Sequence, residues 1–160
     1  MTIRTFRKIV GGCGAALYPN GMVLRISREL VAALWEHSER EHPFEACGVI
    51  AGASDDRIPT RHIPMENSAY SPTFYEFDSK ALLGLYRELD DRDEVPVVIY
   101  HSHTSTEAYP SRTDIAYAGE PDAHYVLLST REEIATRSEF RSFRIIDGVV
   151  TEETVEITGD

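Results

Sequence analysis

The sequence predicts an α/β (α+β) fold: one domain with a mixed central β-sheet flanked by helices. Three observations carry this. Short apolar runs of strand character alternate with segments at helical spacing from Val23 to Ile157. The 160 residues suit a single core. Apolar residues make up 42% and charged residues 27%, the balance of a folded globular chain rather than a disordered one.

The elements follow in order. Val23 to Ile26 reads as a short strand. Ser27 is a good N-cap, and Leu30, Val31, Leu34 and Trp35 recur at helical spacing, so a helix should run to about His42, where Pro43 ends it. Cys47 to Gly52 is an apolar run closed by glycine, the pattern of a buried strand, and Ser54 to Asp56 is a turn. Arg57 to Met65 reads as a strand that Pro59 and Pro64 mark as an edge or irregular one. Thr73 to Phe77 is a strand by composition. Asp78 or Ser79 caps a second helix with Leu82, Leu83, Leu85, Tyr86 and Leu89 on its apolar side, and the large apolar side chains of both helices are assigned to the core. Asp90 to Glu94 is a solvated turn. Val95 to His101 is the most strand-like run and is placed centrally. After Pro110 comes a short helix from about Arg112 to Gly119, then a strand at Tyr125 to Leu128. Phe140 to Ile146 and Val149 to Ile157 form a hairpin across Asp147-Gly148, a strong turn pair.

Residues 1–21 differ in character, with Gly11, Gly12 and Gly14, a local positive charge and no clean periodicity. They are read as an extension, leaving 22–160 as the domain. Arg4, Arg7 and Lys8 resemble the start of a signal peptide, but the glycines interrupt the apolar stretch that should follow. No run approaches the roughly 18–20 apolar residues of a membrane span. Cys13 and Cys47 are the only cysteines, too few for a disulfide framework, so a reducing cytoplasm is expected. The net charge of −11 argues against nucleic acid as a partner and against anionic membrane surfaces.

The chemistry gathers around His101-Ser102-His103. In a strand, residues i and i+2 share a face, so both imidazoles can approach one ion. Ser111-Arg112-Thr113-Asp114 follows after a turn at Pro110, which puts Asp114 in the first turn of a helix, able to return to the same point. Two nitrogens, one oxygen and an open fourth position form a ligand set that zinc tolerates in catalytic sites. Ser-x-x-Asp is also a capping signature, and that reading stands beside the metal one. A zinc hydrolase further needs a carboxylate to move protons. Glu45 is favoured because it enters the buried run at Cys47; Glu107, in the polar loop Thr104 to Pro110, is the competing base. Cys47 has no suitably spaced histidine and reads as a core thiol, His62 and His124 as structural histidines, Arg112 as solvated and Tyr109 as packing.

Glu45, His101-Ser102-His103, seven residues, and Ser111-Arg112-Thr113-Asp114 together resemble the complete JAMM signature of MPN-domain metalloproteases, over about residues 22–157. The Pro-x-Glu-x-Cys-Gly surroundings of Glu45 fit as well. The resemblance implies a JAB1/MPN-like fold, Zn2+ on His101, His103 and Asp114, Glu45 as general acid/base, and Ser111 as a hydroxyl helping to hold the oxyanion. Ile99 to Thr104 and Glu107 to Asp114, supported by Arg61 to Met65 and Ser71 to Tyr75, look like the short bacterial Mec-type subgroup. That implies a ubiquitin-fold sulfur carrier with a Gly-Gly tail as substrate, and release of cysteine from it. Family deubiquitinases carry insertions around the cleft for which this chain has little room, so polyubiquitin specificity is disfavoured and isopeptidase activity stays as the alternative. A non-catalytic MPN scaffold is disfavoured because all five motif residues are present. The His-x-Glu and Pro-Cys-x-x-Cys pattern of a cytidine deaminase is absent.

Overall fold

A computed structural model describes residues 22–131 and 137–159. The extension read into residues 1–21 lies outside the described residues. Among the described residues, seven strands form one mixed sheet: β1 (Val23–Ser27), β2 (Cys47–Ala53), β3 (Arg61–Met65), β4 (Glu94–His103), β5 (His124–Ser129), β6 (Phe140–Ile146) and β7 (Val149–Thr158). Their order is β1-β7-β6-β5-β4-β2-β3. The β1–β7 and β4–β5 pairs are parallel and the rest antiparallel.

The helices α1 (Arg28–Glu41), α2 (Ser79–Asp91) and α3 (Arg112–Tyr117) cover the two faces. Against one face, Leu30, Leu34 and Trp35 of α1 pack on Ile50, Val98, Tyr100 and Leu128. Against the other, Leu85 and Leu89 of α2 pack on Val49, Ile99, Tyr125 and Leu127, and Ile115 of α3 adds its side chain. Each helix begins at a side-chain cap: Ser27 Oγ accepts from Leu30 N–H at 3.2 Å, and Asp78 Oδ1 accepts from Ala81 N–H at 2.8 Å. The β6–β7 hairpin turns at Asp147 (φ 49°) and Gly148 (φ 77°), the left-handed pair that its sequence requires. β3 is an edge strand, as Pro64 demands, but it starts at Arg61, so Pro59 and the residues before it from Arg57 lie outside the strand. Pro96 sits in an interior strand, and the register shifts beside it, between Ile50 and Ala51, so the missing N–H falls at an irregularity.

Two expectations need correction. Thr73 to Phe77 is no strand; its one ladder contact is an isolated bridge between Asn67 and Phe77. The Asn67 side chain takes the backbone groups instead, donating to Phe74 O at 2.9 Å and accepting from Glu76 N–H at 3.1 Å. The apolar side of α2 is also narrower than its composition suggests. Leu85 and Leu89 are buried, whereas Leu83 is 52% exposed and Tyr86 38%. In the expected turn, Asp90 and Asp91 instead finish α2, and Glu94 opens β4.

His62 and His124 are structural. His124 Nδ1 lies 2.7 Å from the buried Glu153 carboxylate. On the α1 face, the Tyr100 hydroxyl lies 2.7 Å from His37 Nδ1 and 2.7 Å from His62 Nε2. A Cβ at Gly48 would sit 2.6 Å from that hydroxyl, so only glycine lets Tyr100 reach the pair. Burial, aided by nearby Arg40, pushes His37 down to about 4. The fold therefore favours neutral His37, and its contribution is lost as pH falls from about 6.5 toward 4. Melting temperature should drop between pH 7 and pH 5, and His37→Gln, which keeps a hydrogen-bonding group without the titration, should flatten part of that drop. An equal drop in both proteins would remove His37 as the cause.

Candidate metal centre

β4 presents His101 and His103 on the face covered by α2 and α3, and both are buried. Their Nε2 atoms are 3.1 Å apart. Asp114, in the first turn of α3, brings Oδ2 to 3.3 Å from each. The three donor atoms lie within 4.8 Å of one another. The capping reading and the ligand reading of Ser-x-x-Asp coexist in one geometry. Ser111 Oγ accepts from Asp114 N–H at 3.1 Å, while Ser111 N–H donates to Asp114 Oδ2 at 2.7 Å. The cap thus fixes the very oxygen that faces both imidazoles. Ser111 is exposed, and its own O–H has no acceptor among the described residues.

The donor set fits a cation. His103 Nδ1 lies 2.8 Å from the Glu107 carbonyl, so that nitrogen donates to it and Nε2 is the one left facing the other donors. Two imidazole nitrogens and a carboxylate oxygen at this spacing match a three-ligand zinc site with an open position. Burial opposes ionisation of Asp114, but hydrogen bonds from both histidines and from the Ser111 backbone outweigh it and hold the carboxyl below the usual carboxylate range. Burial lowers His101. For His103 burial acts the same way, but the Asp114 hydrogen bond and the Glu107 carbonyl raise it on balance.

Glu45 enters beside these groups. Ser102 N–H donates to Ala46 O at 2.9 Å, and Ala46 N–H donates to Ser102 Oγ at 2.8 Å. With Cys47 opposite His101, this register carries Glu45 to the level of His103. Only 5% of Glu45 is exposed, and burial pushes its carboxyl up to about 8, against an opposing pull from His103. Glu107 is different: its side chain is 62% exposed, and it gives His103 its carbonyl rather than its carboxylate. Burial pushes the Cys47 thiol up to about 12, the state of an inert core cysteine. Arg112 is exposed, and Tyr109 packs edge-on to Phe143 at 5.3 Å.

From the sequence, Tyr75 and Ser102 carry no assigned role at the site. Tyr75 stacks on His101, ring centroids 4.5 Å apart and planes 26° apart. Ser102 was legible only as the middle residue of His-x-His. Beside Asp114 opens a groove of about 300 Å³, walled by Phe74, Tyr75, Phe77, Tyr86 and Tyr117.

Residues 27–146 match the family of prokaryotic homologs of the JAB domain. A Mycobacterium tuberculosis protein named CysO-cysteine peptidase is 59% identical over 135 residues, covering 84% of this chain and 91% of that protein. A Haloferax volcanii protein named Desampylase is 31% identical, covering 69% of this chain and 83% of its own length. Among solved structures, a Desulfitobacterium hafniense protein superimposes with a TM-score of 0.73 at 26% identity, covering 87% of this chain and 94% of that one. A JAB1/MPN domain protein from Archaeoglobus fulgidus shares the fold, with a TM-score of 0.54 at 18% identity over 85% of this chain and all of that one. The chain belongs to the prokaryotic JAB-domain family, with the single JAB/MPN fold that its mixed sheet and helices describe.

Proposed function

We propose that this protein is a zinc-dependent peptidase. Its substrate is a ubiquitin-fold sulfur carrier bearing cysteine on its C-terminal Gly-Gly tail; it hydrolyses the amide after the last glycine and releases cysteine. The observation that carries the reading is the convergence of His101, His103 and Asp114 beside a groove, with a buried glutamate of raised pKa at the same level. The mycobacterial relatives named CysO-cysteine peptidase support the substrate. A reducing cytoplasmic setting fits the buried free thiol of Cys47. Among the described residues, no helix is long and apolar enough to cross a membrane.

His101, His103 and Asp114 would hold Zn2+. When bound, zinc supplies Lewis acidity, acidifying water and polarising a carbonyl. The remaining work falls to the chain. Glu45 takes a proton from the attacking water and delivers it to the leaving amine; a carboxyl titrating near 8 can do both near neutral pH. The Ser111 hydroxyl donates toward the oxygen of the final glycine as charge develops there. The aromatic walls of the groove exclude water and leave room for an extended, side-chain-free tail.

The test is a set of carrier–cysteine adducts with the final or penultimate glycine replaced by a bulky residue. Cleavage should slow far more than for changes on the distant carrier surface, read by mass spectrometry. Equal rates for Gly-Gly and bulky tails would defeat the narrow-groove account. No cleavage of any adduct, with ready cleavage of Lys-linked ubiquitin chains, would move the assignment to an isopeptidase.

A further inference from the structure

We propose that Tyr75 is a positioning residue for the metal centre: its ring sets the plane of His101 and so the affinity for the metal. The inference rests on the metal-site reading above. His103 and His101 are oriented by different means. A hydrogen bond from Nδ1 to the Glu107 carbonyl, at 2.8 Å, fixes the His103 ring. His101 instead lies against the face of Tyr75, with centroids 4.5 Å apart and planes 26° apart. Rotating the His101 ring would swing Nε2 away from Asp114 Oδ2, now 3.3 Å from it, and would break this stack. Stacking therefore supplies the orientation that a hydrogen bond gives to the neighbouring histidine.

The segment that carries Tyr75 is built to hold it. It is an irregular stretch between β3 and α2, yet its backbone is pinned on both sides of Tyr75 by one side chain. Asn67 donates to Phe74 O at 2.9 Å and accepts from Glu76 N–H at 3.1 Å. The same amide donates to Glu45 O at 3.0 Å, which ties the clamp to the strand entry bearing Glu45. Asn67 is itself buried. Phe77 meets the Tyr75 ring edge-on at 5.5 Å and adds a second aromatic contact to it. The Tyr75 hydroxyl makes no hydrogen bond among the described residues, so the ring is the part that the position uses. Phenylalanine should therefore serve in its place, and an aliphatic residue should not.

The test compares wild type, Tyr75→Phe, Tyr75→Leu and Tyr75→Met by zinc competition against a chelator. Circular dichroism and melting of the metal-free proteins check the fold. Tyr75→Phe should bind zinc within about twofold of wild type, and the aliphatic variants about tenfold or more weakly. In the metal-free wild type, NMR should show the His101 ring protons shifted upfield by the stacked ring. Tyr75→Phe should keep that shift. Wild-type zinc binding with unchanged affinity in a folded Leu or Met variant would overturn the role of Tyr75 alone. Should neither aliphatic variant fold, an absent upfield shift in wild type would overturn it. A wild-type protein that binds no zinc would overturn both this inference and the metal reading.

Discussion

Glu45→Gln should leave zinc in place and lower turnover by about 10²–10⁴-fold. The amide matches the carboxylate in shape, and the buried backbone around it is held by contacts that the substitution leaves alone. Glu45 N–H donates to Ser71 O at 3.0 Å, and its carbonyl accepts from Asn67. What disappears is the proton acceptor. Burial keeps the Glu45 carboxyl near 8, so its proton is exchangeable near neutral pH. Glu107→Gln should have little effect, because the His103 contact comes from the Glu107 backbone. Steady-state rates and zinc content of both variants check this, and the reverse ranking would make the loop glutamate the base.

Asp114→Ala should lose most of its zinc and its activity together. Oδ2 lies 3.3 Å from both imidazoles and is the only carboxylate oxygen in the three-donor cluster. The substitution also removes half of the capping box, which should cost α3 about 1 kcal/mol. The sheet should survive, since both apolar clusters are built from residues other than the three donors. His101→Ala and His103→Ala should reproduce the metal loss without touching the cap. Chelation of the wild type should likewise remove activity and leave the fold. Metal analysis after dialysis, with circular dichroism, separates these effects. An Asp114→Ala protein with full zinc and full activity would make the ligand assignment wrong.

Much of this was legible because the chain states its local rules openly. Ser27 and Asp147-Gly148 mark a helix start and a hairpin by chemistry that tertiary contacts had no reason to override. The His-x-His and Ser-x-x-Asp spacing could be converted to geometry because strand and helix periodicities are fixed. Other features depend on contacts distant in sequence. Thr73 to Phe77 has strand composition, but the Asn67 amide claims its backbone groups, and no local pattern announces that. Leu83 and Tyr86 look like core residues on α2, yet that helix meets the sheet along a narrow stripe. The stacking of Tyr75 on His101 joins residues 26 positions apart in the chain and depends on the path of an irregular segment. Its only trace in the sequence is an aromatic residue in a run read as a strand.

The most direct test is the intact mass of a Gly-Gly-tailed carrier–cysteine adduct incubated with the zinc-loaded protein, with Glu45→Gln and Asp114→Ala alongside. The wild type should return a carrier lighter by one cysteine residue, ending in a free glycine carboxylate. Both variants should leave the adduct whole on the same timescale. An adduct that stays intact with zinc-loaded wild type, or is cleaved equally by all three proteins, would contradict the account.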